Sequence, residues 1–140
     1  MAAFLVALIA VPLLDQAVKL ALLARLQGRS IRLGRMGHLR LTRTRMWMLR
    51  GTGSHLGTIW TLWTLAAAVL GYACSLFPVF GAFAGLVAGG ALSHALETSL
   101  RGCVCDYVCL RFWPAFNLAD LALTAGLLGS LWVIPALIRS

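Results

Sequence analysis

The sequence has 140 residues, a net charge of +8, 61% hydrophobic residues and only 11% charged ones. A water-soluble domain carries about a quarter charged residues, so this composition excludes an ordinary soluble domain and points to a bilayer as solvent. Mean hydropathy is +0.89 and the pI near 10.7. So basic a chain would suit nucleic acid, but its hydropathy argues against that, and with the arginines gathered beside apolar runs anionic phospholipid headgroups are the expected partner.

Residues 2–24, AAFLVALIAVPLLDQAVKLALLA, form the first apolar segment, long enough to span, since about 20 residues cross the hydrocarbon. It lacks a basic n-region, and Asp15 and Lys19 interrupt it. It therefore reads as a retained helix and not a cleaved signal peptide. From about 26 to 55 the character changes to arginine-rich sequence in which Ile31, Leu33, Leu39 and Leu41 alternate with polar residues. Period two predicts short strands, and Gly34 and Gly37 can turn a hairpin, giving a small surface β element.

Residues 56–76 make a second span, with Trp60, Trp63 and Tyr72 expected near its ends, where amphipathic rings favour the interface. After a short turn at Phe77-Pro78, residues 79–97 make a third span, whose Gly and Ala content permits close helix packing. A loop over 98–115 precedes the fourth span, about 116–138. The chain thus predicts a single all-α membrane domain of four transmembrane helices, with the β element between the first two. The cysteines, Cys74, Cys103, Cys105 and Cys109, follow neither zinc nor CxxC spacing and read as small buried hydrophobes, with a disulfide left open.

Acidic residues are scarce, Asp15, Glu97, Asp106 and Asp120 being the whole set. An ionisable residue inside a span costs about 2.5–3.5 kcal/mol on insertion scales, so each demands an explanation. Asp15 and Lys19 are four residues apart, which suggests a self-neutralising pair on one helix face. Asp106 closes the CVCD stretch and Asp120 opens the fourth span, so both fall near one membrane face. Two carboxylates in a low-dielectric cleft share a proton, the arrangement by which aspartic proteases activate water. The alternative is that Asp106 caps a turn and Asp120 a helix start; spacing leaves both readings open.

GGALSHALETSLRGCVCDYV followed by PAFNLADLAL resembles the lipoprotein signal peptidase (signal peptidase II) family. The resemblance covers most of the chain and is strongest from Gly89 to Ala122. It implies a four-helix membrane aspartic endopeptidase with a small β-cradle, which cuts prolipoprotein signal peptides just before a diacylglyceryl-modified cysteine. It implies Asp106 and Asp120 as the catalytic pair, with Asn117 and Ala119 from the FNLAD stretch and Asp15 and Lys19 from DQAVK as supporting residues. Gly89 and Gly90 serve packing. Location in the bacterial inner membrane is also implied, with no cofactor and no metal.

Several positions depart from the family pattern. Gly51 stands where the family has the asparagine of an Asn-x-Gly motif, with Gly53 at its glycine. Ser93-His94 replaces a Gly-Asn pair, and Glu97-Thr98 an Asp-Arg pair. Arg101, three residues on, is positioned to stand in for the missing arginine, and His94 alters the charge near the dyad. His55 and His94 lack metal-ligand spacing and read as helix-end hydrogen-bonding residues. His38 carries no chemistry legible in sequence. Arginine counting puts the first and third connections in the cytoplasm, whereas the family places the cradle outside; the motif order is the more specific signal, and the family orientation is taken. The second functional reading is a non-catalytic scaffold or accessory subunit, motivated by the altered supporting positions.

Overall fold

Four long helices arise where apolar sequence runs unbroken for about 30 Å of rise. The computed structural model describes residues 1–44 and 56–138. Helices α1 (Ala2–Leu26), α2 (Leu56–Leu76), α3 (Gly81–Arg101) and α4 (Leu118–Ile138) are each long and apolar enough to cross a bilayer. Helix α1 runs two residues past the expected boundary and α3 four past it. A 3-10 turn at Pro78–Phe80 joins α2 to α3, the proline supplying the fixed φ that such a turn uses. Gly102, at φ +66°, ends α3 by returning its N–H to the Thr98 carbonyl at 2.9 Å, a left-handed cap that glycine adopts without strain.

Helix α3 is central. Half of its apolar window is buried, against 22% or less in the other three, and it packs against all of them, most extensively α1 and α4. The reason is written in its glycines. A Cβ on Gly85 would stand 2.5 Å from the Phe4 carbonyl oxygen of α1, and one on Gly90 would stand 2.7 Å from the Ala119 carbonyl oxygen of α4. Backbones approach this closely only where side chains vanish. Gly90→Val should therefore push the start of α4 away from α3, costing about 1–3 kcal/mol as overpacking does. The check is detergent-resistance or thermal melting, with Gly57→Val, where a Cβ meets nothing within 4 Å, as the unaffected control.

The β element is larger than the sequence suggests. Strands β1 (Ile31–Arg32) and β2 (Gly37–Thr44) form the expected hairpin, Ile31 opposite Leu39. The stretch expected as a loop contributes two further strands, β3 (Val104–Leu110) and β4 (Trp113–Phe116), completing an antiparallel sheet in the order β1-β2-β3-β4. Its register sets Thr42 opposite Asp106 and Gly37 opposite Leu110. A Cβ at Gly37 would collide with the Cys109 carbonyl oxygen, so glycine is required for the strands to meet. Joined to the C-terminal ends of α1 and α3 and to the N-terminal end of α4, the sheet sits at one end of the bundle.

The tryptophans of α2, expected at the interface, bond to α3. Trp60 donates its indole N–H to Ser99 Oγ at 2.9 Å, and Trp63 donates to the Ala88 carbonyl at 3.0 Å, both on α3. Burying an indole requires such a partner. These bonds tie α2 to the central helix.

All four cysteines are free thiols; Cys74, Cys103 and Cys105 are buried and Cys109 is half-buried. Burial, reinforced by the nearby Glu97 carboxylate, pushes the Cys105 thiol up to about 11. Only the thiolate is nucleophilic, and with that value about one Cys105 in a thousand is ionised at pH 8. Iodoacetamide at pH 8 should therefore modify Cys109 first and leave Cys105 intact until the protein is unfolded. Peptide mass spectrometry over a time course reads the order, and early labelling of Cys105 would contradict it.

Candidate active site

The fourth helix starts on a reciprocal cap. The N–H of Asp120, third residue of α4, donates to Asn117 Oδ1 at 3.0 Å, and Asp120 Oδ2 accepts the Asn117 N–H at 2.9 Å. This is the capping-box pattern, with aspartate in place of glutamate. Tyr107 adds a second cap, its phenol oxygen accepting the Leu118 N–H at 3.0 Å. Burial pushes that phenol up to about 12, so it stays protonated across the physiological range. The helix-start role considered for Asp120 is thus present, and it does not exclude chemistry: one carboxylate oxygen is used by the cap, and Oδ1 faces His94.

Asn117 also turns toward the sheet. Its Nδ2 donates to Asp106 Oδ1 at 2.8 Å and reaches the Cys105 carbonyl at 3.4 Å. One fully buried amide side chain therefore holds Asp106 from β3 and, through the cap, Asp120 from α4. Such a group rigidifies what it bridges, because breaking either contact leaves a buried polar atom unsatisfied. Asp106 is buried and Asp120 half-buried. Both line one cavity of about 480 Å³, together with His94, Trp113 and Phe116. His94 Nε2 lies 3.1 Å from Asp120 Oδ1, while its Nδ1 is buried and has no hydrogen-bond partner among the described residues. His94 also borders an apolar groove of about 320 Å³ between α2, α3 and α4, so groove and acid cavity share one wall.

A profile of the signal peptidase (SPase) II family matches residues 7–136. The chain belongs to the signal peptidase II family. Among curated relatives, the lipoprotein signal peptidase of Syntrophomonas wolfei is 36% identical over 62 residues, 44% of this chain and 42% of that protein. That of Pelotomaculum thermopropionicum is 42% identical over 57 residues, covering 41% and 38%. That of Polynucleobacter necessarius is 31% identical over 91 residues, covering 54% and 55%. The matched stretches thus span roughly half or less of these relatives' own length. A bacterial membrane enzyme solved by the in meso method at 1.9 Å resolution superposes with a TM-score of 0.80 at 17% identity, over 96% of this chain and 93% of that one. A second, at 2.3 Å resolution, gives 0.78 at 19% identity over 99% and 89%. The signal peptidase II fold, four apolar helices with a small antiparallel sheet, is therefore the fold of this chain.

The remaining motif residues separate into two groups. Asp15 and Lys19 do not line the acid cavity; they are fully buried between α1 and α3. Lys19 Nζ donates to Asp15 Oδ2 at 2.7 Å and to Glu97 Oε2 at 2.5 Å, and Ser93 Oγ donates to Asp15 Oδ2 at 2.6 Å. Arg101 donates to Glu97 Oε1 at 2.8 Å. The self-neutralising Asp15–Lys19 pair expected from sequence is therefore part of a larger set, two cations against two carboxylates. Arg101 points at Glu97, so it neutralises the very residue that replaces the family's aspartate. Ala119 is wholly buried and meets Gly90. Gly51, Gly53 and His55 lie outside the described residues. Among the described residues no group of three potential metal ligands converges.

Sequence reasoning named Glu97 only as an unexplained acid and a departure from the family pattern, and left out Tyr107 and Trp113. The partners of Glu97 could have been found, since an acid in a span demands a cation and Lys19 and Arg101 were the available ones. Tyr107 and Trp113 carry no sequence signal, because strand pairing alone decides which side of the sheet they face.

Proposed function

We propose that this protein is a membrane aspartic endopeptidase that cleaves prolipoprotein signal peptides before a diacylglyceryl-modified cysteine, in the bacterial inner membrane. The observation that carries this reading is that Asp106 and Asp120, from different elements, line one cavity and are tied together by Asn117. Two carboxyl groups in one cleft hold a single proton between them. The ionised member takes a proton from a water molecule as its oxygen attacks the scissile carbonyl, and the neutral member donates its proton to the developing oxyanion. Collapse of the tetrahedral intermediate breaks the C–N bond; the proton taken from water goes to the leaving amine, and the protonated oxyanion returns its proton to the carboxylate that donated it as the carbonyl re-forms. The apolar groove bounded by Trp63, Ala91 and Leu123 suits the hydrophobic stretch of a signal peptide. A second apolar hollow of about 340 Å³, walled by Phe112, Trp113, Phe116 and Leu121 and touching Asp120, suits the acyl chains of the modified cysteine.

A second reading, a non-catalytic scaffold or accessory subunit, is favoured by one observation. His94, in place of the family's asparagine, occupies the free oxygen of Asp120. The readings separate in one assay. Purified protein in detergent, given a diacylglyceryl-modified prolipoprotein, should release the signal peptide with the lipidated cysteine as the new N-terminus. Absence of cleavage, with a stable co-purifying membrane partner, would replace the first reading by the second.

A further inference from the structure

Away from the acids, a concavity of about 560 Å³ opens at the other end of the sheet. Arg32, Arg35, His38, Arg40, Arg111 and Ser30 line it, and its remaining walls are glycines. These cations come from β1, the β1–β2 turn, β2 and the β3–β4 turn. A backbone bond from the Arg111 N–H to the Met36 carbonyl at 3.1 Å draws the two turns together. The convergence is therefore built by the fold and is not one run of sequence.

Among the described residues no acidic side chain lines this cluster. All four acidic residues are committed elsewhere, Asp15 and Glu97 to the buried network and Asp106 and Asp120 to the acid cavity. Arginine does not deprotonate to relieve the crowding, so the counter-charge comes from outside. A guanidinium fork matches a phosphate with two parallel hydrogen bonds. The rim supplies an independent indication of the source. Ile31, Leu33, Met36 and Phe112, interleaved with the arginines, are exposed large hydrophobics, and the cavity begins just past the C-terminal end of α1, a helix long and apolar enough to cross a bilayer. Apolar side chains directed at acyl tails beside cations directed at phosphates is how a surface element seats in a leaflet.

We propose that this cavity is a phosphate site that seats the headgroup of an anionic phospholipid and dips the tip of the sheet into the leaflet. Asp106 lies four residues along β3 from Leu110, about 13 Å at strand rise, so the anchor holds the acid cavity at a set height above the membrane. The site is independent of peptide cleavage, and Asp106→Asn should bind lipid as wild type does.

The test uses the full chain in a neutral detergent, titrated with short-chain phosphatidylglycerol or phosphatidylcholine and read by native mass spectrometry. Wild type should favour phosphatidylglycerol at least tenfold. Arg35→Gln, Arg40→Gln and Arg111→Gln together should abolish that preference. Arg25→Gln, Arg29→Gln and Arg43→Gln, which remove as much charge outside the cavity, should leave it within threefold. These arginines are exposed, so melting temperature should not change in either variant. Displacement of the lipid by millimolar inorganic phosphate would assign the phosphate site to free phosphate and overturn the lipid headgroup as its occupant. Retention of the lipid supports the headgroup. Equal losses in the two variants, or no preference in wild type, would mean diffuse charge attraction and overturn the site.

Discussion

Asp106→Asn and Asp120→Asn should each reduce cleavage of a diacylglyceryl-modified prolipoprotein by at least about 10²–10⁴-fold, the range lost with an essential acid or base. Both should leave the fold intact. An amide in place of Asp106 keeps an oxygen for the Asn117 Nδ2 donor, and in place of Asp120 it keeps an oxygen for the Asn117 N–H. Insertion and melting temperature should thus stay near wild type while turnover falls. On the dyad reading the double variant should be no slower than the slower single one, since losses within a catalytic unit do not add. Rates come from single-turnover cleavage in detergent. Cleavage within twofold of wild type by either variant would end the dyad assignment.

Lys19→Met should be the most destabilising single change away from the acid cavity. Lys19 is wholly buried between Asp15 and Glu97, themselves buried. Among the described residues, removing it leaves Asp15 with the Ser93 hydroxyl and Glu97 with Arg101 and the Cys105 thiol. Breaking a buried ion pair from one side costs about 3–5 kcal/mol because the survivor keeps its desolvation penalty. Neutralising the survivors should reverse most of that loss: Lys19→Met with Asp15→Asn and Glu97→Gln should melt close to wild type. Unfolding in graded SDS measures both. If Lys19→Met alone is as stable as wild type, the network has no structural weight.

Where the helices lie was legible because hydropathy reports solvent directly. Any run of about 20 apolar residues has few fates other than a span, and α1, α2 and α4 follow the expected segments closely. Strands β3 and β4 were not legible. Period two appears only when one face of a strand is wet, and Val104, Cys105, Asp106 and Tyr107 are all buried in succession. A strand covered on both faces shows no alternation, so CVCDYVCL read as a loop.

The sequence by itself determined that the chain is a four-span bundle with a basic surface sheet and four acids in want of explanation, because burying charge in lipid is too costly to occur without cause. Tertiary structure alone decided how those acids are divided. Glu97 and Asp15 share Lys19 inside the bundle, while Asp106 and Asp120 share Asn117 at its end. Partners 78 residues apart are set by how closely α1 approaches the glycine face of α3, and the Asp106–Asn117 contact by the pairing of β3 and the start of α4, neither of which any local pattern records.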